Sequence, residues 1–197
     1  MTKKLLWLLF FLSTVKINAQ KPLLSNRIAN YDISVKLDAE RKTLDGVETL
    51  TWKNTSTDDI SELQFHLYLN AFKDNNSTFM KESSGTLRGN SMDKKEKNNW
   101  GSINILSMQV RGGENLTNKI KFIQPDDLND KDQTVIRVPL SKPIKPNESV
   151  TLNINFKAKL PKIFARTGFA DNYFLVGQWF PKIGVYEPAG IDRKSVV

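Results

Sequence analysis

The sequence contains no cysteine and a single histidine, His66. The first absence excludes disulfides, thiolate metal sites and cysteine nucleophiles together. The second excludes a histidine-built zinc centre, which draws on two or three such ligands. No H-E-x-x-H, no G-x-S-x-G and no phosphate-cradling glycine loop occurs. No apolar run approaches the roughly 20 residues needed to cross a bilayer as a helix, so no stable membrane span is expected once a leader is removed. No basic stripe interleaved with aromatics is present either. The lysines are scattered or mixed with acids, as in Met92-Asp93-Lys94-Lys95-Glu96-Lys97. The net charge of +8 therefore reads as a solvated surface, and no nucleic-acid partner is expected.

What is present begins with a leader. Met1-Thr2-Lys3-Lys4 is basic, residues 5–12 are unbroken apolar, and residues 13–19 turn polar and end on Ala19. That is the three-part secretory pattern. Cleavage between Ala19 and Gln20 is expected, and losing Lys3, Lys4 and Lys16 takes the charge from +8 to +5. The competing reading is a buried N-terminal helix or a membrane anchor. No cysteine stands at or after the cut to carry a lipid. An exported chain without disulfides suits a bacterial envelope, periplasmic or extracellular, better than a small secreted eukaryotic domain.

The remaining chain is long enough for one domain with its own core. From residue 31 apolar and polar residues alternate repeatedly, the period of half-buried strands. Strands are predicted over 31–37, 44–52, 63–69, 102–110, 120–122, 134–140, 150–160 and 173–180. The clearest is Val150, Leu152, Ile154, Phe156, Ala158 and Leu160 against polar neighbours. About eight strands with short connections predict an all-β fold, an antiparallel sandwich or a curved saddle-like sheet. Residues 143–148, with two prolines, read as a turn. Residues 71–99 have no sustained period and read as a long surface excursion with a short helical turn near 70–81. The organisation is a leader at 1–19, a lead-in at 20–30, a β domain at 31–191 and a tail at 192–197.

Candidate chemistry is sparse. His66 shares a strand face with Gln64, Tyr68 and Asn70 and reads as a structural or surface histidine rather than a ligand. Asp126, Asp127, Asp130 and Asp132 cluster without EF-hand spacing. A solvated acidic loop is the expectation, a weak calcium site the alternative. Trp52, Trp100 and Trp179 would stack on sugar rings if exposed and pack the core if not.

Four stretches carry a resemblance. The opening Tyr31-Asp32-Ile33-Ser34-Val35-Lys36-Leu37-Asp38 is followed by Leu44-Asp45-Gly46-Val47-Glu48-Thr49-Leu50. Next comes Phe65-His66-Leu67-Tyr68-Leu69-Asn70-Ala71-Phe72. Last comes Phe174-Leu175-Val176-Gly177-Gln178-Trp179-Phe180-Pro181-Lys182-Ile183-Gly184-Val185-Tyr186-Glu187. In this order and spacing they resemble the N-terminal domain of aminopeptidase N-like, gluzincin zinc metallopeptidases of exported bacterial type, over residues 28–191.

The resemblance implies a β-sheet saddle that leans on a thermolysin-like catalytic domain of the same polypeptide and helps form the cleft for a peptide substrate. That catalytic domain would supply the G-x-M-E-N and H-E-x-x-H motifs and the zinc. Neither motif is here, so the chain reads as a fragment, a truncated gene product or a stand-alone domain. It is expected to hold no cofactor and no catalytic residue of its own. In the family a glutamine near the end of this domain can lie beside the cleft and hold the substrate's free amino group. Gln178 is the candidate, and a structural amide bonded to nearby backbone is the alternative. The alternative for the whole chain is a β-sandwich binding module for carbohydrate or protein.

Overall fold

Alternation in the first strands is resolved by a tight turn. β1 (Ala29–Asp38) and β2 (Thr43–Lys53) pair antiparallel in unbroken register, Ala29 opposite Trp52 and Asp38 opposite Thr43. Asp38 Oδ1 accepts from the backbone N–H groups of Glu40 (3.1 Å) and Arg41 (2.9 Å), which closes the turn locally. The computed structural model describes residues 27–87, 90–91 and 99–187. The leader, Ala19 and Gln20, and the tail at 192–197 lie outside the described residues.

In chain order the other strands are β3 (Ile60–His66), β4 (Thr86–Leu87), β5 (Asn90–Ser91), β6 (Ser102–Val110), β7 (Lys121–Ile123) and β8 (Val135–Ile144). Then follow β9 (Ser149–Lys159), β10 (Gly168–Ala170), β11 (Tyr173–Leu175) and β12 (Lys182–Ile183). Two four-stranded antiparallel sheets form, in the orders β1-β2-β9-β6 and β12-β3-β8-β7. Leu50, Leu152, Ile154 and Phe156 of the first sheet share one core with Leu63, Phe65, Ile136 and Val138 of the second. The fold is thus an all-β, sandwich-like pair of sheets, with two small hairpins, β4–β5 and β10–β11, added.

β9 is the central strand of the first sheet, paired with β2 on one side and β6 on the other. Its even-numbered residues from Leu152 to Ala158 are buried, whereas Asn153 and Asn155 are exposed. Each fully buried Leu, Ile or Phe stabilises the fold by about 1.5–3 kcal/mol relative to exposure. On the outer face β9 meets its neighbours through polar pairs. These are Thr51–Thr151 (3.0 Å), Asn155 to Ser107 (2.8 Å) and the Lys157–Asp45 ion pair (3.0 Å).

The structure departs from the sequence reading in four places. The strand predicted at 63–69 starts earlier and stops at His66, and Tyr68–Phe72 closes into a 3-10 turn that buries Leu69 and Phe72. The stretch expected as a surface excursion is anchored. Phe72 and Met80 are buried, and α1 (Thr78–Glu82) is capped by Ser77, whose hydroxyl accepts from Met80 N–H. β8 runs on through Pro139 and Pro143, because its pairing with β3 breaks at a bulge between Ile60 and Glu62. The last strand, predicted at 173–180, is three residues long, and the chain then turns aside at Gln178 (φ 50°).

The polar loop after β2 is organised by one buried side chain. Asn54 Nδ2 donates to the carbonyls of Asp58 (2.7 Å) and Ile144 (3.0 Å), and Oδ1 accepts from Ser56 N–H (3.0 Å) and Ser56 Oγ (2.7 Å). Substituting Asn54→Ala strips partners from several buried groups at once and should lower stability by about 2–4 kcal/mol. Urea denaturation reads this directly. Thr55→Ala, at an exposed neighbour, is the matched control and should move the midpoint little.

Candidate functional site

The segment from 176 to 183 is laid across the inner face of the first sheet by its aromatic residues. Trp179 tilts against Phe156 (5.9 Å between ring centres) and meets Phe180 edge-on (5.5 Å). Phe180 in turn meets Tyr31 edge-on (5.2 Å), and the Tyr31 hydroxyl accepts from Ile183 N–H (3.1 Å). Space for the Phe156 ring exists only because residue 46 is glycine. A Cβ there would stand 2.2 Å from the ring's tip.

The upstream side is fixed independently. Thr167 is fully buried; its hydroxyl donates to the Leu175 carbonyl and accepts from Gly177 N–H, both at 3.3 Å. A Cβ on Gly177 would stand 2.6 Å from the Arg166 carbonyl oxygen, so the backbone approach requires glycine. Lys42 reaches over the rings of Phe169 (5.2 Å) and Phe174 (4.9 Å) and donates to the Asp171 carbonyl (3.0 Å). The β10–β11 hairpin is thereby tied to the turn between β1 and β2.

Gln178 sits between these two anchors. Its left-handed backbone costs a non-glycine residue on the order of 1 kcal/mol. Its side chain is exposed, and no described residue hydrogen-bonds its amide. The amide thus has a free acceptor and free donors on a braced turn. Nearby in sequence, Tyr173, Leu175, Val185 and Tyr186 are also exposed.

Beneath the aromatic cover lies a carboxyl group that sequence reasoning missed. Glu48 is 0% exposed, and among the described residues neither of its oxygens has a hydrogen-bond partner. It faces Ile33 on β1 and Ile154 on β9 across the sheet. Burial pushes its pKa from 4.5 up to about 8, so the group is protonated at neutral pH. Tyr31 is also pushed up, mainly by burial, with a smaller contribution from Glu48. The signal was available in the row Leu44, Gly46, Glu48, Leu50 and Trp52, where Glu48 occupies an inward position. Enclosed in this way, Glu48 has no route to a substrate.

The other candidates are placed as follows. His66 is half-buried, 5.9 Å from the Tyr68 ring; burial lowers its pKa and the Asp132 carboxylate partly offsets this. The acidic loop is not simply solvated. Asp132 is buried and accepts from Thr78 N–H (2.9 Å), Thr134 N–H (2.8 Å) and the Thr134 hydroxyl, while Asp127 accepts from the Thr78 hydroxyl. These carboxylates staple the loop to α1. Among the described residues no group of three His, Cys, Asp or Glu is placed to hold a metal ion. Trp52 is buried, and Trp100 and Trp179 pack half-buried against the core. A groove of about 520 Å³ lies between β3 and residues 183–187; Tyr186, one of its lining residues, donates its hydroxyl to Asp58 Oδ2 (2.6 Å).

The chain matches no protein-family model, and no curated protein is significantly similar to it. No described helix is long and apolar enough to cross a membrane.

Proposed function

We propose that the chain is the non-catalytic N-terminal domain of an exported bacterial zinc aminopeptidase, and that it packs on a catalytic domain and helps form the substrate cleft. The observation that carries this reading is Gln178. Its amide is exposed, unengaged among the described residues and held on a left-handed turn between two sets of anchors. An amide oxygen so presented can accept a hydrogen bond from a substrate ammonium and fix where a peptide begins. The exposed Tyr173, Leu175, Val185 and Tyr186 give the same segment apolar surface to place against a neighbouring domain. Zinc and the reacting groups belong to that domain in this reading. The carbohydrate-binding reading is less favoured, because Trp52 is buried and Trp100 and Trp179 are half-buried against the core.

The test is in two steps. Reading the gene beyond codon 197 should reveal a continuing frame that encodes H-E-x-x-H; a stop codon there defeats the proposal. In that full-length enzyme Gln178→Ala should lower kcat/KM for free-amine substrates at least tenfold, with the melting temperature nearly unchanged. Unchanged kinetics would make Gln178 a structural residue only.

A further inference from the structure

The two edges of the first sheet are treated very differently. On β6 the edge is occupied: Ile103 N–H donates to Asn70 Oδ1 (2.9 Å), Met108 N–H to Thr117 Oγ1 (3.0 Å) and Val110 N–H to the Glu114 carbonyl (3.0 Å). The Met108 carbonyl accepts from Leu116 N–H (2.8 Å). On β1, at the other edge, no described residue bonds the outward backbone, although the strand is ten residues long.

Parity identifies the open groups. Lys53 N–H donates to the Ile28 carbonyl (2.9 Å), and bonded pairs recur every second residue along the unbroken β1–β2 register. Even-numbered residues therefore bond to β2. The N–H and C=O groups of Ala29, Tyr31, Ile33, Val35 and Leu37 point outward. The same odd-numbered residues carry the inner apolar row, and in it Val35 and Leu37 remain 48% and 40% exposed.

We propose that two copies of the chain associate through β1, antiparallel about a two-fold axis at Ser34, and join their four-stranded sheets into one of eight strands. Among the registers that keep most of the strand paired, only this one makes it complementary to itself. Asp32 of each copy faces Lys36 of the other, giving two symmetric ion pairs. Ile33 then faces Val35 and Tyr31 faces Leu37 in hydrogen-bonded positions, which covers the exposed apolar row. Moving the axis to Val35 sets Asp32 against Asp38. Moving it to Asp32 or to Lys36 sets that residue against its own copy, and moving it to Ile33 leaves Asp32 facing Ser34 with no ion pair. Asp32 and Lys36 fall in the non-bonded pairs, where facing side chains are closer. Such an isologous contact closes on itself as a dimer rather than growing into a fibre.

Sedimentation velocity of the full chain over a range of concentrations tests this. A monomer–dimer equilibrium is expected. Asp32→Lys or Lys36→Asp alone places like charges opposite each other twice and should weaken the dimer by roughly tenfold or more. The double reversal, D32K with K36D, restores both pairs and should return the dissociation constant to near its starting value. A chain that stays monomeric throughout, a dimer indifferent to the single reversals, or a double reversal that fails to restore association would each overturn the proposal.

Discussion

Replacing Glu48 with methionine should raise the melting temperature, and by more as the pH rises. The side chain is fully enclosed and both its oxygens lack partners among the described residues. In the folded chain its pKa is raised to about 8, against an ordinary value of 4.5. Below pH 4.5 both folded and unfolded chains hold the proton, and no ionisation penalty exists. Between pH 4.5 and about 8 only the unfolded chain releases it, so stability falls as pH rises through this window. The loss should amount to about 3 kcal/mol at pH 7 and about 4–5 kcal/mol above pH 8. Methionine fills a similar volume without a group that can ionise. For a domain of this size the gain at pH 7 corresponds to roughly 10 °C in Tm. Thermal melts of both proteins from pH 4 to 9 should converge at the acid end and separate steadily above pH 5. Parallel curves would show that the carboxyl group finds a partner on folding.

Placing a charge at Ile154 should be the most damaging single change in the first sheet. Ile154 is fully buried on the central strand, opposite Glu48 on β2 and Met108 on β6. Ile154→Asp removes its packing and buries an ionisable group in the core, opposite the enclosed Glu48 side chain. A loss of about 5 kcal/mol or more is expected, comparable with the whole stability of many domains. Phe156→Asp should be similarly severe, because it also removes the ring on which Trp179 rests. Asn155→Asp, one residue away on the exposed face, touches only the contact to Ser107 and should cost about 1 kcal/mol or less. Urea midpoints of the two sets are compared at one pH. Similar values would contradict the inward and outward faces described for β9.

These two residues also mark how much of the molecule could be read in advance. β9 was legible because its alternation is uninterrupted, and the residues of each face lie where the period puts them. β6 matches the span read from its sequence as well. Glu48 was not singled out, although its position in the inward row of β2 was visible, because a carboxylate is ordinarily an outward residue. The failures share a physical origin. His66 ends β3 without any breaker residue, and the following apolar residues reach the core by a 3-10 turn instead of continued alternation. Pro143 looks like the end of a strand but sits beyond a bulge, which period and propensity do not reveal. Asp132 looked solvated because its partners, Thr78 and Thr134, include one 54 residues away. The exposure of Gln178 depends on anchors from β9, Thr167 and Tyr31, so only the assembled sandwich defines it.

The position of β9 also governs when the fold can form. Its contacts with β2 join residues about 100 apart in sequence, as in Thr51 with Thr151. Until residue 159 has been synthesised, the β1–β2 hairpin lacks the complete sheet neighbour that β9 supplies. Closing so long a loop before any long-range contact forms places folding in the slow regime of sheet proteins, milliseconds to seconds. Most of the domain is therefore synthesised before the central strand of its first sheet exists. Its native lifetime begins only after the last third of the domain has emerged.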